Sequence, residues 1–380
     1  MTMTLSEAVL APPRTWQPAA PARIAGVGTA VPATSYTQRE LLDLLHVTSP
    51  KVRSLFLNSA IERRHLVLPP AGADGERRPE AQGELLAKHK RNALDMGGKA
   101  VRACLDDAGF RLEDVAYLCC VTTTGFLSPG LSAYLIDALG LDPSCGRADI
   151  VGMGCNAGLN GLGAVTSWAV AHPGRLAVMV CAEACSAAYV MDATMRTAVV
   201  NSLFGDGAAA IALVADPPEG GHESGRGDEG GSAAGPRVLS TASLLITDAI
   251  AAMRYDWDDD QGRFSFYIDP DVPYVVGAHA EQVVDRLLTP AGLRRDDVSH
   301  WLVHSGGKKV IDAVRVNLGL TRHDVRHTRS VLRDYGNLSS GSFLFSYERL
   351  LREGVVRAGD YGVMMTMGPG STIETALIQW

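Results

Sequence analysis

Two stretches far apart in the chain read alike. Gly205-Asp-Gly207 opens GDGAAAIALVA, ending at Ala215, and Gly368-Pro369-Gly370 opens GPGSTIETALIQW, ending at Trp380. Each is a GxG turn leading into an apolar strand. Upstream of each stands a helical stretch rich in small residues, CNAGLNGLGAVTSWAV from Cys155 and NLSSGSFLFSYERLL from Asn337. A chain that repeats helix, turn and closing strand predicts an α/β protein made of two duplicated halves.

The composition between the halves agrees. Residues 216–236 contain PPEGGHESGRGDEGGSAAGP, which has too little apolar surface to offset its ordering entropy and reads as an exposed linker. It separates an N-terminal half, 23–215, from a C-terminal half, 237–380. Residues 1–22, with Pro12, Pro13, Pro18 and Pro21, read as a mobile tail and not as a signal peptide. Apolar, β-branched runs predict strands at Arg23–Val31, Val115–Thr124, Ala148–Gly152 and Leu176–Ala184. Helical spacing predicts helices at Gln38–Leu45, Asn92–Ala108 and Asn156–Ala171. Strands alternating with helices argue for a layered α/β core.

With 46% hydrophobic and 20% charged residues the chain is globular, and its formal charge of −7 does not favour nucleic acid. No apolar run approaches the roughly 20 residues of a membrane span. Seven cysteines are an odd number, and they form no paired CxxC knuckles, so a reduced, cytoplasmic protein without structural zinc is expected.

One cysteine stands apart. Gly152-Met-Gly154-Cys155-Asn-Ala-Gly158 follows a strand and opens a helix, a variant of the dinucleotide fingerprint with Glu183 further on as a ribose partner. A nucleotide loop has no use for cysteine at that point, and the unit sits mid-chain. A nucleophile uses the same geometry better: helix-start N–H groups favour thiolate and predict a lowered pKa. Cys104, Cys181 and Cys185 read as inert core thiols. His304 ends the run Trp301-Leu-Val before Ser305-Gly306-Gly307, which presents an imidazole from a strand tip. Asn337 stands where Cys155 stands in the other half, as an N-cap or as an amide donor to a thioester or enolate oxygen.

Together VGMGCNAG, LVHSGG, YGNLSS, LFGDGAA and MGPGST resemble the chalcone synthase-like, type III polyketide synthases over nearly the whole chain beyond residue 22. The resemblance implies a thiolase-like five-layered αβαβα fold and a homodimer with a Cys155–His304–Asn337 triad. It implies loading from coenzyme A and extension with malonyl-CoA by decarboxylative Claisen condensation, without metal or cofactor. Phe204 and Phe266 match the two aromatic gatekeepers, and Thr123 and Gly368-Pro369-Gly370 match cavity positions. Cys185 and Ala188 stand where chalcone-forming members carry threonines. Trp257 falls where a small residue lines the cavity, so an indole there is expected to shrink it. Lys51, Arg53 and Lys308 are the expected coenzyme A contacts. Arg63 and Arg64 are substitutes for basic positions that do not align, and Lys309 either reaches phosphate or is solvated. Within the family, GCNAGLN with HSGGKKVIDAV most resembles the actinobacterial 3,5-dihydroxyphenylacetyl-CoA synthases. These start and extend with malonyl-CoA and serve glycopeptide antibiotic assembly, with auxiliary enzymes as possible partners for dehydration and aromatisation. The alternatives are a 1,3,6,8-tetrahydroxynaphthalene synthase or other small-starter member, an initiating ketoacyl synthase, and a non-catalytic scaffold subunit of the same fold.

Overall fold

The computed structural model describes residues 21–73, 77–188, 194–195, 197–216 and 235–380. Most of the expected tail (1–20) and linker (217–234) lie outside the described residues.

In the N-terminal half, strand Ala22–Ala30 pairs antiparallel with Gly207–Ala215. That strand pairs antiparallel with Leu176–Glu183, which runs parallel to Val115–Thr122. The C-terminal half repeats the order: Arg237–Leu245, Thr372–Gln379, Tyr361–Gly368, Val298–Val303, with the same directions. A further edge strand, Gly146–Val151, extends the N-terminal half beside Val115–Thr122. The two half-sheets join edge to edge at a narrow seam into one nine-stranded sheet, where Arg23 pairs with Arg237 and the Ile24 N–H donates to the Pro236 carbonyl at 2.9 Å.

Alternation along the strands builds the layers. Cys119 and Val121 face one way and Leu118 and Cys120 the other, so both faces of the sheet are buried. On the inner side two helices, Ala157–Ala171 and Ser342–Glu353, fill the space between the sheets. Leu159, Leu162, Leu344 and Phe345 share one core with Met179 and Leu213 of one sheet and Leu302 and Met364 of the other. Helices Gln82–Ala108 and Leu131–Leu139 cover the outside of the first sheet, and Val272–Leu288 and Lys308–Asn317 the outside of the second. The succession is helix, sheet, helix, sheet, helix, the thiolase-like arrangement.

Boundaries moved by one or two residues at most predicted elements, with one larger change. The helix expected at Asn92–Ala108 begins at Gln82. Its first turns bury Lys88 and His89, side chains that a periodicity of apolar residues passes over. Lys88 is held there by Glu80, and the His89 ring by the Thr124 hydroxyl at 3.1 Å. The helix ends as expected at Gly109, whose φ of +70° is the left-handed cap.

Candidate active site

The site forms where the C-terminal ends of strands from both halves come together. Gly146–Val151 delivers Cys155, Val298–Val303 delivers His304, and Tyr361–Gly368 delivers Gly368. A turn at Asn337–Ser342 ties them together. Asn337 accepts the Ser339 N–H on Oδ1 at 2.8 Å, leaving its NH2 end as the donor. The Ser339 hydroxyl lies 3.6 Å from Cys155 Sγ, and the Ser342 hydroxyl bonds His304 Nδ1. Ser339 has φ of +52°, costly for a residue other than glycine and a mark of a turn set by its surroundings.

Cys155 sits in a short 3-10 turn, Gly154–Asn156, just before the helix at Ala157. Two glycines let backbone close over it. A Cβ on Gly368 would meet the Cys155 and Asn156 backbone nitrogens at 2.9 and 2.7 Å, and one on Gly154, whose φ is +76°, would strike the Pro369 ring. Gly368 and Pro369 therefore lie against the turn that holds Cys155, whereas Gly370 turns toward Leu245.

Burial overturns one expectation. The helix start predicts a lowered thiol pKa, yet burial pushes Cys155 up to about 12; the Ser339 hydroxyl opposes, the Glu183 carboxylate adds, and its own backbone N–H opposes. A helix start is worth ~1 kcal/mol or less, while full desolvation shifts a group by several pKa units. Burial also holds His304 down, to about 3. Burial thus disfavours the charged form of each group taken alone. Ser342 sets the imidazole's hydrogen bonding. Its oxygen accepts the Ser305 N–H at 3.3 Å, and its hydroxyl rotor can donate to Nδ1 or accept from it, so the imidazole can carry its proton on either nitrogen.

Behind Cys155 lies a buried polar network. Thr123 Oγ1 is 3.0 Å from the Ser339 hydroxyl and 3.2 Å from Glu183, and Thr123 N–H and the Ser340 hydroxyl also donate to Glu183. Glu183 has no solvent exposure, and burial raises its pKa. Enclosed in this way it cannot reach a ribose, which removes the dinucleotide reading.

The apolar wall around Cys155 contains Cys185, Ala188, Val200 and Phe204, with Phe266 against them. The Phe204 and Phe266 rings meet edge to face at 5.8 Å, as a pair of gatekeepers would. Trp257 is a correction. It is 49% exposed and touches Phe264 edge-on, nearer the tip of the hairpin Met253–Ile268. Tyr255, two residues inward on the same face, packs toward Phe266 and donates its hydroxyl to the Ala188 carbonyl at 2.9 Å. The hairpin slopes across the site, so only its inner aromatic pair reaches the wall.

The basic residues separate. The Arg53 guanidinium donates to its own neighbour, the Val47 carbonyl, at 3.0 Å, and Arg63 donates to Ser35 at 2.7 Å. Lys51, Lys308 and Lys309 are exposed. Arg64 is buried at 1% exposure and donates to Gln38 Oε1 at 3.1 Å and to the Phe204 carbonyl at 2.7 Å; burial lowers its pKa to about 9. Since Phe204 forms a bridge with Asn337, Arg64 steadies these two residues together. Sequence reasoning missed Ser339, Ser342, Tyr255 and the depth of Arg64. The serines were visible in YGNLSSGS, but only as helix-start residues.

This site sits on a fold with close relatives. Family models described as the N-terminal and C-terminal domains of chalcone and stilbene synthases match residues 14–217 and 259–380. A 3,5-dihydroxyphenylacetyl-CoA synthase of Amycolatopsis orientalis is 68% identical over 94% of this chain and 93% of its own length. A 1,3,6,8-tetrahydroxynaphthalene synthase of Streptomyces peucetius subsp. caesius is 30% identical over 94% and 93%. The crystal structure of a tetrahydroxynaphthalene synthase from Streptomyces coelicolor A3(2), a bacterial type III polyketide synthase, superposes with a TM-score of 0.82 at 28% identity, covering 94% of this chain and 99% of that one. Two halves, two matched domain models and near-full-length relatives agree that the chain belongs to the chalcone and stilbene synthase family.

Proposed function

We propose that this chain is a type III polyketide synthase that builds a C8 tetraketide from malonyl-CoA, as both starter and extender, and cyclises it to 3,5-dihydroxyphenylacetyl-CoA. The observation that carries the product assignment is 68% identity over 94% of the chain to a synthase of that name, against 30% to a tetrahydroxynaphthalene synthase.

In the mechanism we infer, the Cys155 thiol gives its proton to His304, and Sγ attacks the thioester carbonyl. The C–S bond to coenzyme A breaks, the acyl group stays on Cys155, and the free coenzyme A thiol takes the proton. A second malonyl-CoA then places its thioester oxygen against the His304 Nε2–H and the Asn337 NH2. Loss of carbon dioxide leaves an enolate on that oxygen, and these two donors stabilise it. The enolate carbon attacks the acyl–Cys155 carbonyl, forming the new C–C bond and releasing the thiolate. After each round the lengthened coenzyme A thioester passes its acyl group back to Cys155 with release of coenzyme A. The chain so grows between Phe204 and Phe266, inside a wall of Cys185, Ala188 and Tyr255. Three extensions and loss of the starter's own carboxyl as a fourth carbon dioxide give C8, and aldol ring closure with loss of water gives the aromatic thioester. The thioester supplies the activation, so the scheme needs no metal or cofactor.

We place the enzyme in the cytoplasm as a homodimer, with an antibiotic-pathway role that follows from the family resemblance of its sequence. The seven free cysteines fit a reducing compartment. No helix of the described residues is long and apolar enough to cross a membrane.

Mass spectrometry of products from malonyl-CoA alone tests the assignment. A C8 thioester is expected, and a C10 naphthol would move the chain to the pentaketide branch. Cys155→Ala should abolish chain building while keeping slow malonyl-CoA decarboxylation, because His304 and Asn337 act on that step. Product formation at the normal rate by Cys155→Ala would remove Cys155 from the mechanism.

A further inference from the structure

Lys88 is a buried cation that no step of the mechanism uses. It lies in the first turns of the helix Gln82–Ala108 at 2% exposure, where an ammonium is unfavourable unless partners replace its water. Glu80 forms an ion pair with it, and the Ser186 carbonyl accepts from Nζ at 3.3 Å. Ser186 sits in the short turn Cys185–Ala187, and Cys185 and the following Ala188 stand in the apolar wall around Cys155. Asp206, a carboxylate with no exposure, holds the rest of Ser186. It accepts the Ser186 N–H at 2.7 Å and the Ser186 hydroxyl at 2.6 Å, with the Val67 N–H at 3.0 Å. All three polar groups of Ser186 are thus bonded to ionisable side chains.

The same helix start holds the hairpin that faces this turn. Arg263 Nη1 donates to the Glu80 carbonyl at 3.0 Å, and the Gln82 side chain accepts the Phe264 N–H at 3.3 Å, which ties down the hairpin Met253–Ile268. That hairpin carries Phe266 and Tyr255, and the Tyr255 hydroxyl returns to the Ala188 carbonyl at 2.9 Å. Helix start, hairpin and turn therefore close a ring of hydrogen bonds around the wall. The ring matters because the side chains that the turn gives to the wall are small. Cys185 and Ala188 fill little volume, so the room beside Cys155 is set by where their backbone lies and not by side-chain bulk.

We propose that Lys88 is a positioning residue for chain building: by holding the Ser186 carbonyl it fixes the turn that bears Cys185 and Ala188, and so sets how many malonyl units are joined before release. The inference rests on the reading of the chain as a polyketide synthase. Charge suits the task better than a neutral donor. Burial lifts the Asp206 pKa to about 6, and the Ser186 and Val67 hydrogen bonds and the Lys88 charge oppose that rise. Lys88 therefore helps to keep Asp206 ionised, and an ionised carboxylate is the form that accepts both Ser186 donors.

Lys88→Met keeps the length of the side chain and removes its charge. It should acylate Cys155 from malonyl-CoA at the rate and KM of the unaltered protein, followed by intact-protein mass spectrometry, because no triad contact changes. The C8 thioester should fall roughly threefold or more as a share of products, the effect of losing one hydrogen bond, with shorter chains in its place. Lys88→Arg, which keeps the charge and the N–H donors, should restore that share. An unchanged C8 share in Lys88→Met, an equal loss of acylation, or no recovery in Lys88→Arg would overturn the proposal. A second readout needs no turnover. N-ethylmaleimide should label Cys185, which has no exposure, roughly tenfold faster in Lys88→Met, with Cys119 labelled as before. Equal labelling of Cys185 in both proteins, or faster labelling of both cysteines, rejects a local hold on the turn. If Lys88→Met does not fold, Glu80→Gln at the 17% exposed end of the pair carries the same two readouts. No polyketide from the unaltered protein would reject the synthase reading, and the labelling would still decide whether Lys88 holds the turn.

Discussion

Cys155 and His304 each pay for burial, and the sum decides how the site becomes reactive. A thiol pushed up to about 12 and an imidazole pushed down to about 3 are both neutral when taken singly. In the proposed mechanism one proton passes between them and makes two opposite charges, each of which stabilises the other. His304→Ala should therefore raise the pH midpoint for iodoacetamide alkylation of Cys155 by about one unit or more. An unchanged midpoint would mean that His304 has no part in forming the thiolate. The positions of Cys155 and His304 were legible in sequence because strand tips and helix starts have local signatures. Ser339 and Ser342 were not, because a serine's role depends on what the turn brings near it: Sγ in one case, Nδ1 in the other.

Among the elements, the two central helices constrain each other most. A Cβ on Gly158 would lie 2.2 Å from the Ser340 carbonyl oxygen and 2.6 Å from the Phe343 ring. Gly163, on the same helix, has nothing within 4 Å of that position. Gly158→Ala should cost ~1–3 kcal/mol by overpacking and displace the turn that carries Asn337 and Ser339, so product formation falls. Gly163→Ala should be neutral or stabilise by up to ~1 kcal/mol, since alanine is the better helix former. Urea midpoints measure both, and equal midpoints for the two variants would contradict the close approach. The hairpin Met253–Ile268 gives the opposite lesson. Its alternation correctly puts Tyr255, Trp257, Phe264 and Phe266 on one face. Alternation says nothing of how far along that face the cavity extends, and Trp257 falls outside it.

For the whole molecule, the seam between the sheets is narrow but the core between them is not. Arg23 and Arg237 pair across the seam, while Leu159, Leu162, Leu344 and Phe345 join both sheets in one apolar cluster. Neither half can bury its central helix without the other. The described halves should therefore melt in one transition, with calorimetric and van't Hoff enthalpies in agreement; two separable transitions would show that the halves are independent domains. The duplicated layout was legible in the paired GxG-strand closures and small-residue helices, because periodicity and turn chemistry are local properties of a chain. So were the places of Cys155, His304 and Asn337 at the ends of their elements. The burial of Cys155, the exclusion of Trp257 and the Ser342 hydroxyl that bonds His304 were settled by folding. Each depends on burial and on distances between residues remote in sequence, and local composition carries neither.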